Sequence, residues 1–209
     1  MIAIIDYDAG NIKSVEKALQ FLKQEVCITR DRAMIRSADQ VILPGVGSFG
    51  DAMEQLRKYE LDKVIYEVVD QAKPFLGICL GLQLLFERSE ESPAVEGLGI
   101  LKGEIVKIPK AEGIKIPHMG WNSLTIQNQG RLFEGLEEHP YVYFVHSYYL
   151  KAKEEQIVTA STEYSAHIHA SVEWKNVFAC QFHPEKSGET GLKILQNFIS
   201  MKGLEKGIG

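Results

Sequence analysis

Short apolar runs alternate with amphipathic segments through the first half of the chain. Residues 2–5 form a β-branched run, and after a polar turn apolar residues recur at helical spacing over residues 12–22. Further strands are predicted at 25–29, 41–43 and 75–78, with helical faces at 52–56 and 61–69 and a helix at 80–88. Strands of four or five residues that alternate with helices imply right-handed βαβ crossovers and a parallel sheet.

The pattern changes after residue 103, where strands follow one another with little helix between them. They are predicted at 104–108, 122–126, 141–150, 157–161, 167–174 and 177–182. A closing helix is predicted at 187–201, with Ser187 as its cap, and the charged segment 87–91 is interpreted as a solvated helix end and loop. We therefore expect an α/β fold with a doubly wound, mostly parallel central sheet and added antiparallel strands in the C-terminal half.

The amino-acid composition limits the classes of protein and of partner that the chain can represent. The 209 residues predict a single domain, 1–209, and 45% hydrophobic with 24% charged residues is typical of a globular protein. A net charge of −5 argues against nucleic acid or anionic membranes as partners. The N-terminus lacks the features of a signal peptide, and three cysteines without a C-x-x-C pair fit a reducing cytoplasm.

Cys79 lies in the pentapeptide Gly77-Ile-Cys79-Leu-Gly81, between the strand predicted at 75–78 and the helix that follows. This context is typical of a nucleophile elbow, a tight turn that holds a reactive side chain above the sheet in strained backbone angles. The free N–H groups of a helix N-terminus favour a thiolate there. The alternative is a small buried hydrophobe between two packing glycines.

His183 and Glu185 follow the last predicted strand in Phe182-His183-Pro184-Glu185. Proline favours an extended conformation for the residue before it, and residues i and i+2 of an extended chain point to the same side. The pair therefore suits a base and the carboxylate that orients it. A histidine that only packs in the core is the alternative.

Glycines follow the third predicted strand in Pro44-Gly45-Val46-Gly47. Ligands of doubly wound sheets bind at the carboxyl ends of the parallel strands, so this loop and the Cys79 turn are predicted to share one crevice. Backbone N–H groups of such a loop suit a developing oxyanion. An ordinary turn is the alternative.

A metal site at His167 and His169, which share a strand face, is disfavoured because no acidic or thiol residue accompanies them at ligand spacing. We expect neither a metal nor a cofactor. Cys27 and Cys180 lie in apolar strand runs and are interpreted as core residues.

The motifs P-G-x-G, G-x-C-L-G-x-Q and H-P-E, in this order, resemble those of the class I, triad-type glutamine amidotransferases. Within that family the chain is similar to the glutaminase subunits of imidazole glycerol phosphate synthases. The narrower resemblance rests on residues 6–11, 44–50, 117–122 and 182–187, which include the block His118-Met119-Gly120-Trp121-Asn122. It implies the amidotransferase fold and hydrolysis of glutamine for histidine biosynthesis.

The same resemblance implies roles for individual residues. Cys79 would attack the glutamine carboxamide, His183 would transfer protons, and Glu185 would orient the imidazole. The oxyanion hole would comprise Val46, Gly47 and Leu80, and the substrate-binding residues would be Gly47, Gln83, Ser147 and Tyr148.

A partner is implied as well: a separate (β/α)8 cyclase that forms a heterodimer with this chain. It would use the ammonia to make imidazole glycerol phosphate and an aminoimidazole-carboxamide ribotide. The candidates for the docking face are Asn11, Met119, Trp121 and Lys186. Core packing is the alternative for Trp121. The glycines of residues 44–47 suggest a loop that misorients its oxyanion donor until the partner is loaded.

Three other functions stay open. A stand-alone cysteine hydrolase or peptidase would use the same elbow, act without a partner and show no preference for glutamine. A catalytically silent binding module would use Cys79 only for packing. An amidotransferase subunit of another synthase would share the chemistry and differ in its partner.

Overall fold

Five parallel strands form one half of the main sheet in the computed structural model, which describes residues 1–128 and 130–203. Their order is β2 (Val26–Thr29), β1 (Ile2–Ile5), β3 (Gln40–Leu43), β4 (Phe75–Ile78) and β13 (Val177–Cys180). The four inner strands are buried at every position, because helices cover both faces of a parallel sheet. The doubly wound arrangement expected from the sequence is confirmed.

Six α-helices occur among the described residues and flank this sheet. They are α1 (Ile12–Phe21), α2 (Arg32–Ser37), α3 (Phe49–Lys58), α4 (Leu61–Asp70), α5 (Leu80–Leu84) and α6 (Gly188–Ser200). Alternate residues of β1 separate two apolar clusters, with Ile5 on the side of α3 and α4 and Ile4 on the side of α1 and α6. This alternation is the period of two that a strand imposes on its side chains.

Antiparallel strands extend the sheet beyond β13. They are β12 (His167–Trp174), β10 (Tyr148–Ala152) and β6 (Gly103–Lys107), followed by the short β5 (Arg88–Ser89), which pairs parallel to β6. β11 (Val158–Glu163) pairs with β12 and with β8 (Thr125–Ile126). A separate two-stranded sheet joins β7 (His118–Ser123) to β9 (Tyr141–His146). Short 3₁₀ turns lie at Arg131–Phe133, Glu155–Ile157 and Pro184–Lys186.

The single strand predicted at 141–150 is wrong, because the chain changes sheets at Ser147. Residues up to His146 pair with β7, whereas Tyr148 begins the pairing with β6. The strand predicted at 122–126 is likewise split around Leu124. A continuous alternation of apolar residues predicts extended backbone but carries no information on which sheet each part joins.

The helix predicted at 80–88 is also wrong in length, since α5 ends at Leu84. The next carbonyl groups are bonded by a loop instead: Leu98 N–H donates to Leu84 O at 2.8 Å and Leu101 N–H donates to Leu85 O at 3.0 Å. Leu85 and Phe86 are fully buried, so the apolar run continues past the end of α5. Because this run has no polar face, its sequence shows no helical periodicity that would mark where the helix ends.

Two further differences concern helix starts. α2 was not predicted from the sequence; Asp31 caps it by accepting from the N–H groups of Ala33 and Met34. Ser187 precedes α6 but does not cap it, contrary to the prediction; its hydroxyl donates to His183 O at 2.7 Å. The last six residues of the predicted domain 1–209 lie outside the described residues, and no helix among those described is long and apolar enough to cross a membrane.

Candidate active site

Four neighbouring parallel strands end at one edge of the sheet, and the loops after them carry the predicted site. β1 leads into residues 6–11, β3 into residues 44–47, β4 into Cys79, and β13 into the segment with His183 and Glu185. Because the strands are parallel, their carboxyl ends bring these four segments to the same crevice.

Cys79 has the backbone geometry of a nucleophile elbow. Its φ of 55° and ψ of −108° lie where a residue with a side chain is strained. The turn depends on its flanking glycines, because a Cβ atom on Gly81 would lie 1.8 Å from Leu43 O and one on Gly77 would lie 2.7 Å from Gly81 O. The Cys79 N–H also donates to Cys180 O at 2.8 Å, which ties the turn to β13.

His183 and Glu185 form a buried pair. His183 Nδ1 donates to Glu185 Oε1 at 2.7 Å, and the two side chains are 1% and 0% exposed. The His183 N–H donates to Tyr143 O at 2.9 Å, which anchors this segment on β9. With Nδ1 bonded to the carboxylate, Nε2 is the ring nitrogen left for chemistry, and it has no hydrogen-bond partner among the described residues.

The pKa of His183 reflects its neighbours. Burial by itself lowers that pKa, but interactions with the side chains of Cys79 and Glu185 outweigh burial and raise it to about 9. The imidazole is therefore held in its protonated form at neutral pH, close enough to Cys79 to interact with its sulfur. A group in this state can give a proton to a leaving amine.

Asn11, which the sequence suggested for the docking face, has its side chain against this pair. Its Nδ2 atom donates to Glu185 Oε1 at 2.6 Å and lies 3.5 Å from His183 Nδ1. Asn11 adopts a φ of 69°, the left-handed conformation that asparagine tolerates better than most residues. The loop after β1 thus supplies a second donor to the carboxylate.

The predicted oxyanion donors lie beside the cavity but are not assembled into a hole. The Leu80 N–H donates to Gly45 O at 3.3 Å, so it is already engaged. Val46 and Gly47 are exposed, and Gly47 has a φ of 109° that favours glycine. Tyr7 fixes the base of this loop by donating from its buried hydroxyl to Pro44 O at 2.8 Å.

A cavity of about 250 Å³ opens beside Cys79. Its lining residues are Val46, Gly47, Cys79, Leu80, Gln83, Glu91, Val145, His146, Ser147 and Tyr148. The structure therefore brings together all the residues expected to bind substrate or an oxyanion. Gln83 donates from Nε2 to Tyr148 O at 3.1 Å and to Gln181 Oε1 at 3.0 Å, which leaves its Oε1 atom for a ligand.

Glu91 also lines the cavity, although the sequence analysis interpreted segment 87–91 as solvated. That interpretation is wrong for Glu91, whose Oε2 accepts from the Phe49 N–H at 2.7 Å, and for Ser89, which is buried. The hydrogen bond holds the carboxylate at the start of α3. An acidic residue in a charged run gives no sign in the sequence that it faces a cavity.

The exposed side of the β7–β9 sheet carries the other predicted docking residues. Met119 is 61% and Trp121 56% exposed, so the core alternative for Trp121 is wrong. Tyr141, 57% exposed, adds to this surface from β9, and Lys186 is exposed as well. We call Met119, Trp121 and Tyr141 the apolar face, and Lys186 lies in the 3₁₀ turn Pro184–Lys186. Tyr141 was not predicted from the sequence, since its strand register was unknown.

The remaining histidine and cysteine candidates differ in their surroundings, and Cys180 lies next to the Cys79 turn. His167 pairs with Glu163, and no group of three potential metal ligands occurs in the part of the chain that the structure describes. Cys180 is fully buried, and burial together with the charges of Glu185 and Cys79 raises its thiol pKa. Cys27 is only half-buried on edge strand β2, not a full core residue.

Comparisons with known proteins find similar sequences over nearly the whole chain. A family model described as glutamine amidotransferase class-I matches residues 3–201. Imidazole glycerol phosphate synthase subunit HisH of Caldanaerobacter subterraneus subsp. tengcongensis is 53% identical over 201 residues, 96% of this chain and 98% of that protein. The subunit of the same name from Methanocaldococcus jannaschii is 50% identical over 201 residues, 96% of this chain and 100% of that protein.

A solved structure supports the fold. A crystal structure described as glutamine amidotransferase superposes with a TM-score of 0.73 at 20% identity, over 95% of this chain and 99% of that one. At that identity the likeness concerns the fold alone.

Proposed function

The chain belongs to the class I glutamine amidotransferases and, within them, to the HisH subunits of imidazole glycerol phosphate synthases; from this membership we propose that Cys79, His183 and Glu185 hydrolyse glutamine and that the ammonia passes to a cyclase partner in histidine biosynthesis. One observation carries the proposal. Cys79 sits in a strained elbow and lines the 250 Å³ cavity, and its side chain interacts with an imidazole that Glu185 holds by a 2.7 Å hydrogen bond.

In the first half-reaction, the Cys79 sulfur attacks the carboxamide carbon and the C=O electron pair moves onto oxygen. His183, protonated at neutral pH by virtue of its raised pKa, gives its Nε2 proton to the amide nitrogen. The C–N bond then breaks, ammonia leaves, and a thioester to Cys79 remains. Glu185 keeps the ring oriented and stabilises its positive charge.

In the second half-reaction, neutral His183 takes a proton from water, whose oxygen attacks the thioester carbon. The C–S bond breaks, and the sulfur returns as a thiolate beside the protonated ring. The new carboxyl group releases the second proton of the water to solvent and becomes glutamate. Each proton that His183 gives in one step is recovered in the other, so the site needs no further acid or base.

The cavity matches the charges of glutamine. The Glu91 carboxylate, fixed by the Phe49 N–H, suits the α-ammonium group, and Gln83 Oε1 is free to accept from an N–H of the substrate. Ser147 and Tyr148 line the same space and would hold the amino-acid end. A carboxylate that faces the cavity disfavours substrates with a second acid at that position.

The oxyanion loop explains how turnover would depend on a partner. A tetrahedral oxyanion needs N–H donors, yet the Leu80 N–H is engaged by Gly45 O and Val46 and Gly47 face solvent. A shift of this loop frees the Leu80 donor and turns a second one inward. Because such a hydrogen bond contributes about 3 kcal/mol to the transition state, the shift changes turnover by about two orders of magnitude.

The apolar face is the surface that suits the partner. Exposed tryptophan, methionine and tyrosine are typical of interface centres, and here they lie on the strand pair that also anchors His183 through Tyr143 O. We assign this face to a (β/α)8 cyclase in a heterodimer. Direct delivery matters because ammonia released into neutral solution becomes protonated and loses its nucleophilicity.

The test is to assay the purified chain for glutamate release, alone and mixed with a histidine-pathway cyclase subunit, against glutamine, asparagine and a peptide substrate. The proposal predicts little release from the chain alone, stimulation by the cyclase, and activity on glutamine only. Equal turnover with and without the cyclase, or cleavage of the peptide, would support the stand-alone hydrolase instead.

A further inference from the structure

Gln181 is a fully buried polar residue to which the reaction steps above give no role. It follows β13, is 0% exposed, and its backbone N–H donates to Ala170 O at 2.8 Å. Its side chain lies between two functional groups, with Nε2 3.7 Å from Cys79 Sγ and Oε1 3.0 Å from Gln83 Nε2. A buried amide in this position is close enough to form a hydrogen bond with the reacting sulfur.

The orientation of this amide follows from a group that can only accept. Tyr148 O is a backbone carbonyl, so Gln83 must present its NH₂ to it at 3.1 Å. The same Gln83 nitrogen then faces Gln181, which must present its oxygen. Gln181 is left with its NH₂ toward the sulfur, because the opposite orientation would set two donors against each other at Gln83.

Tyr148 O is itself held in place by a histidine pair. His146 Nδ1 donates to it at 2.8 Å, so His146 Nε2 is an acceptor and takes a hydrogen bond from His118 Nδ1 at 2.9 Å. His118 Nε2 in turn accepts from Asn122 Nδ2 at 3.4 Å. A connected set of hydrogen bonds therefore extends from β7 to Cys79, with Tyr148 O accepting from both His146 and Gln83.

We propose that Gln181 is a positioning residue that donates a hydrogen bond to the Cys79 thiolate and that Gln83 orients it for this task. The inference rests on the proposed function, in which Cys79 is the nucleophile. A protonated Cys79 has Val145 O as its acceptor at 3.9 Å, whereas the thiolate, once the proton has left, accepts from the Gln181 amide. Donors to an ionised group stabilise it more than donors to a neutral one.

The experiment measures alkylation of Cys79 by iodoacetamide at pH 7, followed on the Cys79 peptide by mass spectrometry. Iodoacetamide reacts with the thiolate and does not depend on glutamine binding. Gln181→Met keeps the length of the side chain and removes the donor, so we expect alkylation about 10-fold slower. Glutaminase kcat with the partner should fall while KM changes less than twofold.

Gln40→Met is the matched control. Gln40 is another buried glutamine, and its Nε2 donates to the Phe198, Ile199 and Met201 carbonyl oxygens at the end of α6. Loss of these hydrogen bonds lowers the stability of the fold but does not change the surroundings of the Cys79 sulfur, so Cys79 should be alkylated at the wild-type rate. This comparison separates positioning from a general loss of structure.

A folded Gln181→Met protein that alkylates at the wild-type rate would overturn the inference. If Gln181→Met does not fold, Gln83→Met decides: the amide then loses the group that orients it, so we expect about threefold slower alkylation, and an unchanged rate counts against the inference. A wild-type chain whose Cys79 is alkylated normally but which releases no glutamate with any cyclase refutes the proposed function alone.

Discussion

Asn11 and Glu185 are joined by a 2.6 Å hydrogen bond from Asn11 Nδ2 to Glu185 Oε1, the oxygen that also accepts from His183 Nδ1. The loop after β1 and the segment after β13 are thereby tied together at the carboxylate. This contact fixes the carboxylate from a side that His183 does not occupy, and it keeps the charge paired where the side chain is wholly buried.

Loss of the Asn11 amide should reduce turnover more than substrate affinity. Glycine accepts the positive φ of this position, so Asn11→Gly removes the donor without adding strain. We expect glutaminase kcat to fall about 10-fold with KM within twofold, because a hydrogen bond to a charged group contributes about 1.5 kcal/mol. Asn11→Asp should lower kcat further, since it places a second carboxylate next to that of Glu185. Lys13→Ala, an exposed change on the same helix, is the control. A kcat at the wild-type level in Asn11→Gly would contradict this role.

His183 and Glu185 should differ in the size of their effects. His183→Ala removes the proton carrier, and we expect turnover to fall about 10³-fold or more. Glu185→Gln keeps an acceptor oxygen near Nδ1 and removes only charge and orientation, so the expected loss is about 10²-fold. Steady-state glutaminase rates of the two variants in complex with the cyclase check the order; the reverse order would overturn the assignment of roles.

Gly81 should tolerate no side chain. A Cβ atom there would lie 1.8 Å from the Leu43 carbonyl oxygen, so we expect Gly81→Ala to lower the free energy of unfolding by about 4 kcal/mol or more. Gly99→Ala is the control, because Gly99 has open space around its Cβ position. Since its φ of 61° is strained for alanine, we expect the free energy of unfolding to fall by about 1–2 kcal/mol. Urea unfolding measures both. Similar losses in the two variants would show that contact with Leu43 does not restrict the elbow.

The His118–His146 pair should make stability sensitive to acid. Burial lowers the pKa of His118 to about 4. Burial also lowers the pKa of His146 to about 3; the hydrogen bond to Tyr148 O opposes this shift, and the charges of His118 and His183 add to it. Both are neutral in the fold, whereas the unfolded chain takes up protons below its ordinary histidine pKa of about 6.5. Their stabilising contribution is complete above pH 6.5 and is lost as pH falls toward 4, by up to about 1.4 kcal/mol per pH unit for each histidine.

His118→Phe tests this dependence. Phenylalanine keeps the ring stacked between Phe144 and Tyr164 but cannot be protonated. Urea unfolding at pH 7.5 and pH 5 should show a smaller loss of stability on acidification for the variant than for the wild type. Parallel losses would mean that His118 is protonated in the folded protein.

The parallel half of the fold was predictable because each strand is a short apolar run with a polar end. Ile2–Ile5 and Phe75–Ile78 have the predicted bounds. The C-terminal half was predicted less well, since the pairing of β9 and β10 with different sheets depends on contacts across the fold. The same limit applies to α5, which ends where loop residues, not its own turns, bond its carbonyl groups.

The candidate site shows a similar division. Residues in motifs were predictable: the structure brings the side chains of Cys79, His183 and Glu185 together. Glu91, Gln181 and Tyr141 were not identified, because their importance comes from what folding places beside them. Asn11 was noticed in the sequence, but only its hydrogen bond to Glu185 indicates what its side chain does.

The central claim is that Cys79 attacks glutamine with the help of His183. It is tested most directly by treating the chain, in complex with its cyclase, with an electrophilic glutamine analogue and mapping the adduct by mass spectrometry. We predict one adduct, on Cys79, which excess glutamine prevents and His183→Ala slows, while Cys27 and Cys180 stay unmodified. An adduct on either other cysteine, or none on Cys79 in the folded complex, would contradict the account.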